Sequence, residues 1–103
     1  MSALHPVARV DELPTGGRKL IEVDGREIML LNVEGTYRAL DVRCPHANGR
    51  LGDGRVVENG RRIECPLHKW KFDLETGETL IDRRKKARLY AVVVDGDELK
   101  IRL

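Results

Sequence analysis

The stretch that best indicates the fold is KLIEVDGREIMLLNV, residues 19–33. Its two halves, residues 19–23 and 26–33, are rich in aliphatic and β-branched side chains and are joined at Asp24-Gly25. Asp-Gly is a strong signal for a two-residue hairpin turn, because both central residues of such a turn need a positive φ. The stretch therefore predicts an antiparallel β-hairpin.

Further short β-prone runs, separated by turn signals, fill the rest of the chain. They span residues 6–10, 37–42, 55–58, 61–65, 70–73, 88–94 and 98–102. Turns are predicted at Glu34-Gly35, Asn59-Gly60, Thr76-Gly77 and Asp95-Gly96. Residues 8–13 form one helical turn at most. Eight or nine short strands predict an all-β fold, a small antiparallel sandwich or barrel.

Length and composition indicate a single domain, residues 1–103, with 41% apolar and 35% charged residues. No run of apolar residues is long enough to span a membrane, and residues 1–10 do not resemble a secretory signal. We therefore expect a cytoplasmic protein that does not bind membranes. The net charge of +2 is too small to indicate a nucleic-acid partner.

Two short segments contain both cysteines and two of the three histidines: Cys44-Pro45-His46 and Cys65-Pro66-Leu67-His68. A disulfide is uncommon in a reducing compartment, so a metal centre is the better interpretation. A zinc site with two cysteines and two histidines, or two buried cysteines with incidental histidines, are the alternatives. Against zinc, each segment mixes both ligand types, and the first has a one-residue gap.

The pattern Cys-x-His, an interval of 18 residues, then Cys-x-x-His resembles the Rieske-type iron–sulfur family. The flanking segments CPHA, residues 44–47, and WKFDLETG, residues 70–77, resemble that family too. The resemblance implies a Rieske-type fold, with a cluster-binding part at about residues 41–77. It also implies one [2Fe–2S] cluster with Cys44 and Cys65 on one iron and His46 and His68 on the other. In this family the histidine edge is exposed, which makes it the exit for the electron.

Four positions place the chain in the low-potential branch of that family. High-potential members carry a disulfide whose cysteines would fall at Gly49 and Leu67. They also carry hydroxyl donors to the cluster or cysteine sulfurs, which would fall at Trp70 and Phe72. Since fewer donors leave the reduced centre less stabilised, the resemblance implies a low reduction potential.

The resemblance implies an electron carrier rather than an enzyme. Its partners would be a flavin reductase and a terminal oxygenase, such as a ring-hydroxylating dioxygenase. The alternative is the small subunit of an NAD(P)H-dependent nitrite reductase, bound to the large subunit. Such subunits often lack the glycine that many members have after the second histidine, where this chain has Lys69. A terminal oxygenase itself needs two further histidines, and only His5 remains.

A run of four basic residues, 83–86, lies in the region that matches the third cluster-facing loop, residues 81–87. Many family members have a proline in this loop, and this chain has none. With Lys69, Lys71, Arg43 and Arg50, the run predicts a positive rim around the histidines. Both a partner-docking patch and an ordinary solvated loop are compatible with it.

Overall fold

A computed structural model of the protein describes residues 4–45, 49–67 and 69–103. These described residues form nine strands: β1 Leu4–Arg9, β2 Arg18–Val23, β3 Arg26–Val33, β4 Thr36–Asp41, β5 Arg55–Val57, β6 Arg62–Glu64, β7 Lys71–Asp73, β8 Leu89–Asp95 and β9 Glu98–Arg102. The chain divides into two compact units. The first comprises Met1–Ala39 and Tyr90–Leu103, and the second comprises Leu40–Leu89.

The first unit is built on a six-stranded sheet in the order β1-β9-β8-β4-β3-β2. The pairs β1–β9, β8–β9 and β2–β3 are antiparallel. Its core consists of residues from several strands and one loop: Leu13, Ile28, Leu30, Ala39, Tyr90, Leu99 and Ile101. Met29 and Leu31, on the other face of β3, are buried as well. Burial on both faces explains why residues 28–31 form a continuous apolar run instead of alternating.

The hairpin between β2 and β3 is the one that the sequence predicts. Val23 pairs with Arg26, so the loop is Asp24-Gly25, with φ values of 50° and 77°. Glu34 and Gly35 repeat this pattern between β3 and β4, with φ values of 52° and 90°. Two positive φ angles give the turn the twist of the flanking strands, which is why these dipeptides fix the hairpins locally.

The second unit contains a small antiparallel sheet in the order β5-β6-β7. Ile63 of β6 pairs with Phe72 of β7, and both side chains are fully buried. A short 3-10 turn at Leu51–Asp53 precedes β5 and buries Leu51. The loops between β4 and β5 and between β6 and β7, which contain the predicted ligand segments, belong to this unit.

The all-β class and the strand pattern predicted from the sequence are confirmed. Each predicted run corresponds to a strand, with ends that differ by one or two residues. The single helical turn expected near residues 8–13 is a 3-10 turn at Val10–Glu12. The turn at Leu51–Asp53 was not predicted, because the segment Gly52-Asp53-Gly54 indicates only a loop.

Within the described residues, no helix is both long and apolar enough to span a membrane.

Candidate metal centre

The first cysteine loop follows β4 and is closed at its base by backbone hydrogen bonds. The amide of Cys44 donates to the carbonyl of Gly49 at 3.0 Å, and Arg43 and Arg50 form an antiparallel bridge. Cys44 is 4% exposed. These backbone contacts close a short loop that begins at Cys44, and the Cys44 thiol is held in the interior of the second unit. His46 belongs to the same loop and lies outside the described residues.

The second cysteine loop joins β6 to β7 and is closed in the same way. The amide of Cys65 donates to the carbonyl of Trp70 at 2.7 Å, and the Lys69 amide donates to the Cys65 carbonyl at 2.9 Å. Cys65 is fully buried. Lys69 has a φ of 62°, the left-handed conformation for which glycine is the usual residue. A non-glycine residue there costs about 1 kcal/mol, which the hydrogen bonds of the loop offset. His68 also lies outside the described residues.

The two cysteine loops touch at Gly49. A Cβ atom built on Gly49 would lie 3.0 Å from Cys65 Sγ and 3.0 Å from Leu67 Cβ. Among the described residues, neither Cys44 nor Cys65 forms a disulfide. The structure thus places Cys65 beside the loop that carries Cys44, and it buries both sulfurs. Two buried thiols on adjoining loops suit a cluster that is bound through thiolates. The assignment of His46 and His68 remains a prediction.

The same contact brings together the positions at which high-potential Rieske proteins carry their disulfide. The Cβ atoms of a disulfide lie about 3.5–4.5 Å apart, and Gly49 adjoins Leu67 closely enough for such a pair. In place of a disulfide, the backbone of Gly49 packs closely against the side chain of Leu67 in this chain. Trp70 and Phe72 supply no hydroxyl, and their rings pack together with centroids 6.4 Å apart.

Gly49→Ala is expected to lower the cluster content of the purified protein and to lower its Tm. The cost comes from the contact of the added Cβ atom with Cys65 Sγ and Leu67. Such overpacking costs about 1–3 kcal/mol. Iron and acid-labile sulfide analysis measures the first effect, and thermal bleaching measures the second. Gly96→Ala, in the β8–β9 turn, is the control and should retain full cluster content.

Asp73, at the end of β7, organises the third loop, a role that the sequence analysis missed. Its Oδ1 accepts hydrogen bonds from the amides of Glu75 (2.7 Å) and Thr76 (3.0 Å), and the Gly77 amide donates to its carbonyl at 2.8 Å. The Ala87 amide then donates to the Gly77 carbonyl at 2.8 Å. The pattern Asp-x-x-Thr-Gly is typical of such a side-chain-capped turn, and this signal was available in the sequence.

The third loop is fixed at its base and pairs part of its own charge. At the base, the backbones of Glu78 and Lys86 pair in an isolated antiparallel β-bridge. Asp82 Oδ1 accepts hydrogen bonds from the Arg84 amide (3.0 Å) and guanidinium (3.2 Å), and these bonds lower the pKa of Asp82. Arg84 is therefore not a free cation. The predicted positive rim is weaker than the count of basic residues indicates, since Arg50 also pairs with Asp53 at 2.6 Å.

The Asp73 carboxylate is expected to make stability depend on pH. Burial raises the pKa of Asp73, but the Glu75 and Thr76 amides and the nearby Arg61 outweigh it, and the pKa lies below its usual 3.8. A lowered pKa stabilises the fold above about pH 4, and this contribution is lost as the pH falls through the folded-state value. Asp73→Asn keeps the acceptor oxygen and removes the charge.

We expect Asp73→Asn to be about 1 kcal/mol less stable than wild type at pH 7. Thermal unfolding of both proteins between pH 7 and pH 3 measures the difference in Tm. That difference should shrink as the pH falls, because the wild-type carboxylate becomes protonated. A constant difference across this range would contradict the assigned role of the charge.

A small antiparallel β fold with two buried cysteines on adjoining, base-closed loops is compatible with a protein that binds a metal cluster. The sequence model of the Rieske [2Fe–2S] domain matches residues 3–93. The chain belongs to this family, and it carries one Rieske-type [2Fe–2S] cluster. The family resemblance inferred from the two ligand segments is confirmed.

Several relatives are ferredoxin components of oxygenase systems. One from Ralstonia sp., a component of naphthalene 1,2-dioxygenase/salicylate 5-hydroxylase systems, is 36% identical over 97 residues, covering 93% of this chain and 91% of the relative. The ferredoxin of carbazole 1,9a-dioxygenase from Nocardioides aromaticivorans is 35% identical, with a TM-score of 0.81 over 94% of this chain and 96% of that one.

The fold is also similar to that of a Mycobacterium tuberculosis protein assigned as the small subunit of an NADH-dependent nitrite reductase. The TM-score is 0.86 over 100% of this chain and 96% of that one, at 21% sequence identity. At this level of identity the likeness establishes the shared fold only.

Proposed function

We propose that the protein is an electron carrier that takes single electrons from a flavin reductase and passes them to a terminal oxygenase, such as a ring-hydroxylating dioxygenase. The observation that carries this proposal is the match, over about nine tenths of both chains, to a relative named as the ferredoxin component of such systems. A ferredoxin component carries electrons, and we propose the same role, without a catalytic one, for this protein. The protein acts in the cytoplasm as one domain, residues 1–103.

In this proposal Cys44 and Cys65 bind one iron as thiolates, and His46 and His68 bind the other through imidazole nitrogens. When bound, the cluster supplies a one-electron couple whose potential is raised by the neutral imidazoles. The burial of both thiols keeps water and oxidants from the sulfurs. The short loops closed at Cys44 and Cys65 hold the ligands in place, which limits rearrangement when the charge changes.

Reconstitution tests the proposal. The purified red-brown protein, a flavin reductase and the terminal oxygenase from the same organism should support NADH-dependent oxidation of the oxygenase substrate. Omission of this protein should remove most of the turnover. Failure of the complete system, with active reductase and oxygenase, would contradict the proposal.

The small-subunit role in a nitrite reductase is the second candidate, and one observation favours it. Lys69 replaces the glycine that many family members have at this position, and its φ of 62° shows that the backbone keeps the glycine-like conformation. Co-purification with a large sirohaem-containing protein, in place of a separate reductase and oxygenase, would select this alternative.

The midpoint potential is expected at the lower end of the Rieske range, on the order of −150 mV at neutral pH. The physical reason is that Trp70 and Phe72 offer no hydroxyl to the sulfurs, so the reduced centre is less stabilised. Phe72→Tyr, a nearly isosteric change that adds a hydroxyl, should raise the potential. Protein-film voltammetry measures both, and a wild-type midpoint above about +100 mV would contradict the argument.

A further inference from the structure

A surface cavity of about 300 Å³ lies beside the second cysteine loop, within the second unit. Its charged lining consists of Glu58, Arg62, Lys69 and Lys71. Glu58 is already engaged, with its oxygens 3.1 Å from Arg62 Nη1 and 3.7 Å from Lys71 Nζ. The Lys69 ammonium lies 4.0 Å from the Glu64 carboxylate, at the limit of an ion pair, and its side chain is well exposed. The cavity therefore carries a net positive charge that an anionic group can neutralise.

The lining of this cavity also includes two exposed apolar residues. Leu80 is 84% exposed and Ile81 is 59% exposed, and both line the cavity. The base of their loop is held by the bond from Ala87 to Gly77 and by the bridge between Glu78 and Lys86. The exposure of two adjacent aliphatic side chains to water on a closed loop is unfavourable, and exposed apolar patches mark interaction sites.

We propose that Arg62, Lys69, Lys71, Leu80 and Ile81, here called the loop patch, dock an acidic surface of the electron-accepting partner protein. An apolar side chain of the partner packs on Leu80 and Ile81, while a neighbouring carboxylate enters the cavity and pairs with the lysines. The inference rests on the proposed function. Lys69 directly follows the predicted ligand His68, so a partner seated on the patch lies next to the proposed electron exit.

The cations and the aliphatic residues of the loop patch are expected to affect different steps of binding. The cations attract an acidic partner over a distance of about 8 Å at physiological ionic strength, so they act mainly on the rate of encounter. Burial of the aliphatic pair is insensitive to salt and acts mainly on the rate of dissociation. The two contributions are thus separable by experiment.

The test measures the Kd of the cluster-containing protein for the purified, immobilised electron-accepting partner. Surface plasmon resonance gives this Kd from low to high salt. Leu80→Ser/Ile81→Ser is expected to bind roughly tenfold more weakly at every salt concentration. Lys69→Gln/Lys71→Gln should bind more weakly at low salt and converge on wild type at high salt. Val94→Ser is the matched control, because Val94 is 54% exposed on β8 of the first unit, and it should bind as wild type does.

Visible spectra of every variant establish that the cluster is present before binding is measured. A Leu80→Ser/Ile81→Ser protein that binds as tightly as the control would overturn the proposal, and so would wild-type protein that does not bind the partner. Electron transfer from wild type is measured in parallel. Binding that depends on Leu80 and Ile81, without any electron transfer, would contradict the proposed function while leaving the docking surface supported.

Discussion

Replacing either cysteine by serine, in Cys44→Ser or Cys65→Ser, is expected to give colourless protein with almost no iron or sulfide. A serine hydroxyl does not ionise near neutral pH, whereas a thiolate is the ligand that iron–sulfur clusters use. Both positions are buried, so each serine also leaves a polar group in an apolar interior. Cluster binding and folding are coupled, and stability falls with the cluster.

The Tm is expected to fall by at least about 10 °C, on a scale of about 4–8 °C for each 1 kcal/mol of unfolding free energy lost in a domain of this size. Iron and sulfide analysis, visible absorption and the EPR spectrum of the reduced protein measure cluster loss. His46→Cys and His68→Cys should retain a cluster at lower potential, because a thiolate adds negative charge. His5→Ala, at the third histidine, is the control and should match wild type. An unaltered EPR spectrum in any cysteine or ligand-histidine variant would refute that assignment.

Gly54→Ala is expected to destabilise the second unit by about 3 kcal/mol, the upper range for overpacking. Gly54 has an ordinary φ of −70°, so the cost is steric and not conformational. An added Cβ would collide with the carbonyl oxygen of Glu64 on β6 and would lie 2.9 Å from the Leu51 carbonyl. Because both are backbone atoms, no side-chain rotation relieves the clash. The pairing of β5 with β6, which supports the second cysteine loop, would have to shift.

Thermal unfolding, followed by the loss of visible absorption, measures this effect, with an expected fall in Tm of roughly 12–24 °C. Gly25→Ala is the matched control. Gly25 has a φ of 77°, and an added Cβ would have no described atom within 4 Å, so only a backbone cost of about 1 kcal/mol is expected. Equal effects of the two substitutions would show that the steric argument for Gly54 is wrong.

The sequence alone predicted the hairpins and the family, because both are written in short segments. Asp24-Gly25 and Glu34-Gly35 form turns with positive φ, a property of the local backbone that does not depend on distant residues. The spacing of the cysteines and histidines indicated the Rieske family, which the domain match at residues 3–93 confirmed.

The tertiary structure decided which distant residues adjoin. The contact of Gly49 with Cys65 and Leu67 depends on packing between loops that are 16 or more residues apart, and no local preference encodes it. The number of basic residues likewise does not determine the charge of the rim. Arg84 donates a hydrogen bond to Asp82, and contacts of this kind determine which cations of the rim remain available. Leu80 and Ile81 make the point most plainly. Both are large aliphatic residues, yet they are exposed in a loop whose path is fixed at its base by the hydrogen bond from the Ala87 amide to the Gly77 carbonyl.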